Sequence, residues 1–154
     1  MLFRSVDSQG RHTYAYGTFA KGDPRAVGGD TLFEIGSLTK VFTSLLLADM
    51  VQRNEVALDG PAARYLPEHV RMPERDGKAI TLLHLSTHTS GLPRLPSNIG
   101  PNPDGSPNPY RAWDRAALVA ALRSDGPGAA PAVGRAVAYS NLDRKSTRLN
   151  SSHT

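Results

Sequence analysis

Ser37 and Lys40 stand three residues apart, as Ser37-Leu38-Thr39-Lys40, at the head of the apolar run Val41-Phe42-Thr43-Ser44-Leu45-Leu46-Leu47. In a helix, positions i and i+3 share a face, so this spacing brings a hydroxyl and an ammonium together. Such a pair suits nucleophilic catalysis. A serine hydroxyl attacks a carbonyl only when a neighbouring base takes its proton, and a lysine pushed toward neutrality by desolvation and nearby positive potential is such a base. The plainer reading of Ser37 is a helix cap. Lys40 argues against it, because a capping box wants Glu or Gln at that position and the positive end of the helix dipole disfavours a cation there. Lys40 would also sit beside the packed stripe of Val41 and Phe42, where a lysine is costly without a partner. S-x-x-K recurs by chance, so the chemistry needs further residues to support it.

A second polar cluster, Tyr139-Ser140-Asn141, follows Gly134 and a short apolar approach through Val137 and Ala138. Taken alone, Tyr139 reads as a core tyrosine with a satisfied hydroxyl, and Asn141 as a turn former. His84 and His88 are four apart and could face one another as zinc ligands do. The pattern lacks the glutamate of H-E-x-x-H and a third ligand, so no metal site is expected. His88 is read instead as ordering the loop Thr89-Ser90-Gly91, and no histidine has the context of a serine triad. Glu34 is read as an ion-pair or cap residue in preference to a second acid or base.

The elements that must position these residues can be read from pattern. Residues 2–6 and 12–19 read as an antiparallel strand pair, with Ser8-Gln9-Gly10-Arg11 as the turn. Gly22-Asp23-Pro24 and Gly28-Gly29-Asp30 then break the chain before Thr31-Leu32-Phe33-Glu34-Ile35 leads into Ser37. A helix is expected from about Ser37 to Arg53, and a short one over Pro61 to Tyr65. Another begins after Thr81 as its cap, with Leu82, Leu83 and Leu85 inward. Six prolines between Pro93 and Pro109 predict an extended, stiffened loop. Residues 114–123 are helical by alanine and leucine content, and Gly126-Pro127-Gly128 stops them. Strands at the start, helices in the middle and no internal repeat predict an α+β layout rather than alternating βαβ units.

At 154 residues the chain can form one domain, or one piece of a larger one, with a real core. Its net charge of +4 is half accounted for by residues 143–154, where Arg144, Lys145 and Arg148 outweigh Asp143. The remaining basic residues are scattered and not interleaved with aromatics, so nucleic acid is not an expected partner. The absence of cysteine excludes a thiol nucleophile, thiolate metal sites and disulfides. No segment has the apolar length of a membrane span, and the first residues lack the apolar core of an export signal, so the chain reads as soluble.

Read together, S-x-x-K followed by Y-S-N resembles the penicillin-recognising serine hydrolases. Within them it is most similar to class C β-lactamases and their relatives among D-alanyl-D-alanine peptidases and esterases. The surrounding words Thr31-Leu32-Phe33-Glu34-Ile35-Gly36-Ser37 and Leu85-Ser86-Thr87-His88-Thr89-Ser90-Gly91-Leu92-Pro93 extend the likeness, which covers about residues 12 to 142. The resemblance implies part of a β-lactamase/transpeptidase-like fold, a helical region with an incomplete antiparallel sheet. It implies that Ser37 attacks a carbonyl, that Lys40 and Tyr139 share the proton work, and that Asn141 hydrogen-bonds the amide side chain of the substrate. That substrate would be a β-lactam, a D-Ala-D-Ala-type peptide or a small ester. No cofactor is implied, and the family suggests a periplasmic or secreted location. The chemistry is coherent on its own terms: Lys40 beside the phenol would favour phenolate, or Tyr139 would help Lys40 lose its proton. The backbone N–H of Ser37, near a helix start, could serve the oxyanion.

The likeness stops after Leu142. Members of the family are longer and carry a third motif, K-T-G or a histidine variant, much later in the chain. Lys145-Ser146-Thr147 mimics its first letters but lacks the glycine. Residues 143–154 therefore read as a foreign or disordered tail, and residues 1–142 as a partial serine hydrolase domain clipped at its start. The expected consequences are an unpaired strand edge, an uncovered apolar face and an incomplete oxyanion hole, hence a truncated and inactive piece. A non-catalytic penicillin- or peptidoglycan-binding domain of the same fold is the alternative.

Overall fold

A computed structural model of the protein describes residues 1–102, 104–125 and 132–143. The chain divides into two compact units, Met1–Gly36 and Ser37–Thr154. In the first, β1 (Leu2–Asp7) pairs antiparallel with β2 (Gly10–Ala15), placing Phe3 opposite Tyr14 and Ser5 opposite His12. Ser8 and Gln9 connect them, with the Gln9 N–H donating to Asp7 Oδ1 at 2.8 Å. The second strand starts at Gly10 and stops at Ala15, short of the expected Phe19. Gly17 turns the backbone at φ 98°, and Thr18 then bridges Ala26. Phe3, Val6 and Tyr14 are exposed, so the hairpin carries uncovered apolar side chains, as expected from sequence. Glu34, in the segment that follows, is exposed too, and among the described residues it forms no ion pair.

The second unit opens with the 3-10 turn Gly36–Leu38 and α1 (Thr39–Gln52). Only the later half of α1 is packed: Leu47 is buried, and Met50 and Val51 lie against the core. Leu38, Val41, Phe42 and Leu45 share one face by their spacing, and each is between 63% and 68% exposed. The packed stripe expected beside Lys40 is thus uncovered among the described residues. A helix that is apolar all round does not reveal from its own sequence which side its neighbours cover.

The core gathers Ile80, Leu82, Leu85, Leu92, Leu118 and Leu122, each at most 4% exposed. The expected short helix after Pro61 is a 3-10 turn, Ala62–Tyr65, tied to the following chain by the Ala62 N–H to Ile80 carbonyl bond of 2.8 Å. Sequence reading missed the small hairpin of β3 (Glu74–Arg75) and β4 (Lys78–Ala79). Its signal was Asp76-Gly77, both at positive φ, the dipeptide suited to a tight primed turn. Residues 93–102 and 104–109 form no helix or strand, in keeping with their prolines. In α3 (Arg115–Ser124), Asp114 Oδ1 caps the Ala117 N–H at 2.9 Å, and Leu118, Ala121 and Leu122 face inward. The expected stop at Gly126-Pro127-Gly128 lies outside the described residues.

In α2 (Leu82–Ser86), Thr81 is the N-cap, and Leu82 and Leu85 are buried. Leu83 is 43% exposed, contrary to expectation, because a helix this short buries one face and residue 83 lies off it. His84 completes a capping box in place of the usual Glu or Gln. Its N–H donates to Thr81 Oγ1 at 3.2 Å, and its Nδ1 accepts the Thr81 N–H at 3.2 Å. An accepting Nδ1 requires a neutral ring with its proton on Nε2. Burial, aided by the charge of Lys78, lowers the His84 pKa from the ordinary 6.5. The unfolded chain therefore takes up this proton first, and stability falls as pH drops from about 6.5 toward the lower native value. His84→Gln keeps the box without titrating. Its unfolding midpoint is expected to fall less over that window than that of the wild type; equal slopes would contradict this account of the cap.

Candidate active site

Three stretches of the second unit meet: the head of α1, the loop 87–94, and residues 134–143. The loop acts as a template. Its Thr89 carbonyl accepts the Gly134 N–H at 2.8 Å, its His88 carbonyl the Ala138 N–H at 2.7 Å, and its Arg94 carbonyl the Asn141 N–H at 3.1 Å. Ser140, fully buried, donates its hydroxyl to the Pro93 carbonyl at 2.6 Å and accepts the Leu142 N–H at 3.1 Å. Each such bond is worth about 1 kcal/mol net, and together they fix the register of the Y-S-N segment against the loop. Gly134 allows the close approach: its φ is 79°, and a Cβ there would lie 3.1 Å from His84 Nε2.

On this frame, all four residues singled out from sequence come together. Ser37 Oγ lies 2.7 Å from the Tyr139 hydroxyl, and Lys40 Nζ donates to Ser37 Oγ at 3.1 Å. Lys40 Nζ also donates to Asn141 Oδ1 at 3.2 Å and lies 5.0 Å from the Tyr139 ring centre. The Ser37 side chain does not cap α1. Its hydroxyl faces the other polar groups, so the cap reading has no counterpart in the structure.

The electrostatics favour charge on the phenol. The Lys40 hydrogen bond is the largest cause of a Tyr139 pKa held below the usual 10.0, and the Ser37 hydrogen bond is the next. Burial opposes this, while the charges of Lys40 and Arg94 add to it. The group can thus hold a proton on either side of Ser37 Oγ, the arrangement that converts a hydroxyl to an alkoxide equivalent.

His84 and His88 are not paired ligands. His84 is spent in the cap. His88 sits past the end of α2 at φ 58°, its ring 4.6 Å from the Tyr139 ring. Its Nδ1 lies 2.9 Å from one oxygen of the Asp143 carboxylate and 3.3 Å from the Ser140 N–H, and Ser90 Oγ donates to the other oxygen of that carboxylate. His88 thus ties its own loop to the Y-S-N segment. Asp143, grouped with the tail in the sequence reading, is fully buried, and residues 144–154, including Lys145-Ser146-Thr147, lie outside the described residues. Among the described residues no cluster of His, Asp or Glu could hold a metal, and no helix is long and apolar enough to cross a membrane.

Sequence reading missed two neighbours. Tyr110 Oη lies 3.5 Å from Asn141 Nδ2, and the Arg94 guanidinium lies 5.5 Å from the Tyr139 ring centre. Neither carries a local signal, since each comes from the proline-rich loop or its edge.

The family model described as Beta-lactamase matches residues 5–143. The chain is 37% identical over 89 residues to the D-alanyl-D-alanine-carboxypeptidase/endopeptidase AmpH of Escherichia coli (strain K12), covering 58% of this chain and 23% of that protein. It is 44% identical over 69 residues to the esterase EstB of Burkholderia gladioli, covering 44% of this chain and 18% of that protein. The solved β-lactamase/D-alanine carboxypeptidase of Yersinia pestis, complexed with citrate, superposes with a TM-score of 0.75 at 27% identity, over 95% of this chain and 40% of that one. The chain therefore spans well under half the length of these relatives. Its α+β elements are part of a β-lactamase/transpeptidase-like fold. By its match over residues 5–143, this chain belongs to the beta-lactamase family, whose members are serine hydrolases of β-lactamase and carboxypeptidase type.

Proposed function

We propose that the protein hydrolyses a β-lactam, a D-Ala-D-Ala-type peptide or a small ester through an acyl-serine intermediate, with Ser37 as nucleophile. The observation that carries this is Ser37 Oγ held at 2.7 Å from Tyr139 Oη and 3.1 Å from Lys40 Nζ. In acylation, Ser37 Oγ bonds to the substrate carbonyl carbon while its proton passes to the Lys40–Tyr139 pair. The tetrahedral intermediate then collapses, the carbonyl carbon to leaving-group bond breaks, and the pair returns the proton to the departing nitrogen or oxygen. Water repeats the sequence to free the acid and Ser37. The Ser37 N–H, at the head of α1, contributes one oxyanion donor. Asn141 Oδ1 is engaged by Lys40, and Nδ2, with one N–H directed to Tyr110 Oη, keeps its other N–H to donate to the amide carbonyl of the substrate.

We propose further that residues 1–142 are part of a hydrolase domain, in a protein of periplasmic or secreted location. Incubation of the full-length protein with benzylpenicillin or a fluorophosphonate, followed by peptide mass spectrometry, is expected to place one adduct on Ser37. Labelling elsewhere, or reversible binding with no adduct, would point instead to a non-catalytic binding domain.

A further inference from the structure

Arg94 is exposed at the edge of the site, and among the described residues no carboxylate pairs with it. Its guanidinium lies over the Tyr139 ring at 5.5 Å, one phenol ring away from Ser37 Oγ. Its own carbonyl receives the Asn141 N–H at 3.1 Å, so the residue flanks the side chain assigned to the acyl amide of the substrate. A guanidinium held near an aromatic ring by its charge makes no hydrogen bond to that ring, so its N–H groups stay available to a bidentate acceptor. We infer that Arg94 is a specificity-determining residue that recognises a carboxylate on the acyl side of the substrate, next to the amide that Asn141 holds. This rests on the acyl-serine reading above and adds the charge of the preferred substrate.

The geometry separates this role from a purely electrostatic one. An arginine that served only to bias Tyr139 would change the acylation of every substrate by the same factor. One that binds an anion changes the ratio between a charged acyl group and its neutral counterpart.

Carbenicillin and benzylpenicillin make the comparison, since they differ by one carboxylate on the acyl side chain. With the full-length protein, kcat/KM for ring opening, or the rate of Ser37 labelling, is expected to favour carbenicillin by about fivefold, the size of an exposed ion pair. The preference should shrink on adding salt. It should fall to about unity in Arg94→Gln and partly survive in Arg94→Lys, whatever happens to the two absolute rates. A wild-type ratio at or below unity, or one unchanged in Arg94→Gln, would overturn the assignment of Arg94 and leave the acyl-serine reading standing. Failure of Ser37 to react with either penicillin or with a fluorophosphonate would remove that reading and this inference with it.

Discussion

Ser37→Ala is expected to abolish the covalent adduct completely and to leave the unfolding midpoint almost where it was. The two halves of that expectation separate the two readings of this serine. A helix cap lost to alanine costs about 1 kcal/mol and changes no chemistry. In the structure the Ser37 side chain caps nothing. It is exposed, and its hydroxyl is spent on Tyr139 and Lys40. Substitution of an exposed residue away from caps and core usually falls within about 0.5 kcal/mol. The loss of adduct should be total because Ser37 Oγ is the hydroxyl that both Lys40 and Tyr139 hold, and bond formation has no substitute atom. Reversible binding of a penicillin, read by calorimetry, should persist, since Asn141 keeps its amide. Labelling of the alanine variant at the same rate would remove Ser37 from the mechanism.

The parts of this site legible in the sequence are those with local periodicity or a local motif. Three-residue spacing was enough to bring Ser37 and Lys40 together, because the 3-10 turn Gly36–Leu38 running into α1 keeps residues three apart on one face. The N-cap at Thr81 was readable for the same reason. The meeting of Lys40 with Asn141 depends instead on backbone bonds between the loop 88–94 and residues 134–141, and these follow from tertiary packing. Only the resemblance to a family anticipated it. Leu83 failed because a short helix buries one stripe, and three leucines in four positions do not say which. Arg94 carries no pattern at all; its meaning comes from the ring it lies over.

Val41, Phe42 and Leu45 show a different limit. Their apolarity announced a packed stripe, and among the described residues that stripe is exposed. The relatives are more than twice as long as the stretch matched here, and helix faces of this kind gain about 25 cal/mol per Å² when buried. The chemistry assembled at the head of α1 therefore sits on a helix whose packing is only half supplied by the described residues. Activity measurements belong with the full-length protein for this reason.

Lys40→Met and Tyr139→Phe are each expected to lower the rate of Ser37 acylation by about 10²–10⁴-fold, the range for loss of a general base. The double variant should lose little beyond the worse single one. That non-additivity follows from the geometry: both groups touch the same oxygen, and Lys40 is the main cause of the lowered Tyr139 pKa. They form one proton-holding unit, so removing either disables the other. The pH dependence gives the sign. A phenol held below the usual 10.0 supplies phenolate at lower pH than free tyrosine does. Removing the Lys40 ammonium should move the rising limb of the pH–rate profile upward, toward that ordinary value. Phenolate absorbance should titrate upward with it, giving a readout independent of turnover. Two single losses that multiply in the double variant, with the titration unmoved in Lys40→Met, would mean that the two residues act separately. Lys40 alone would then have to take the proton of Ser37.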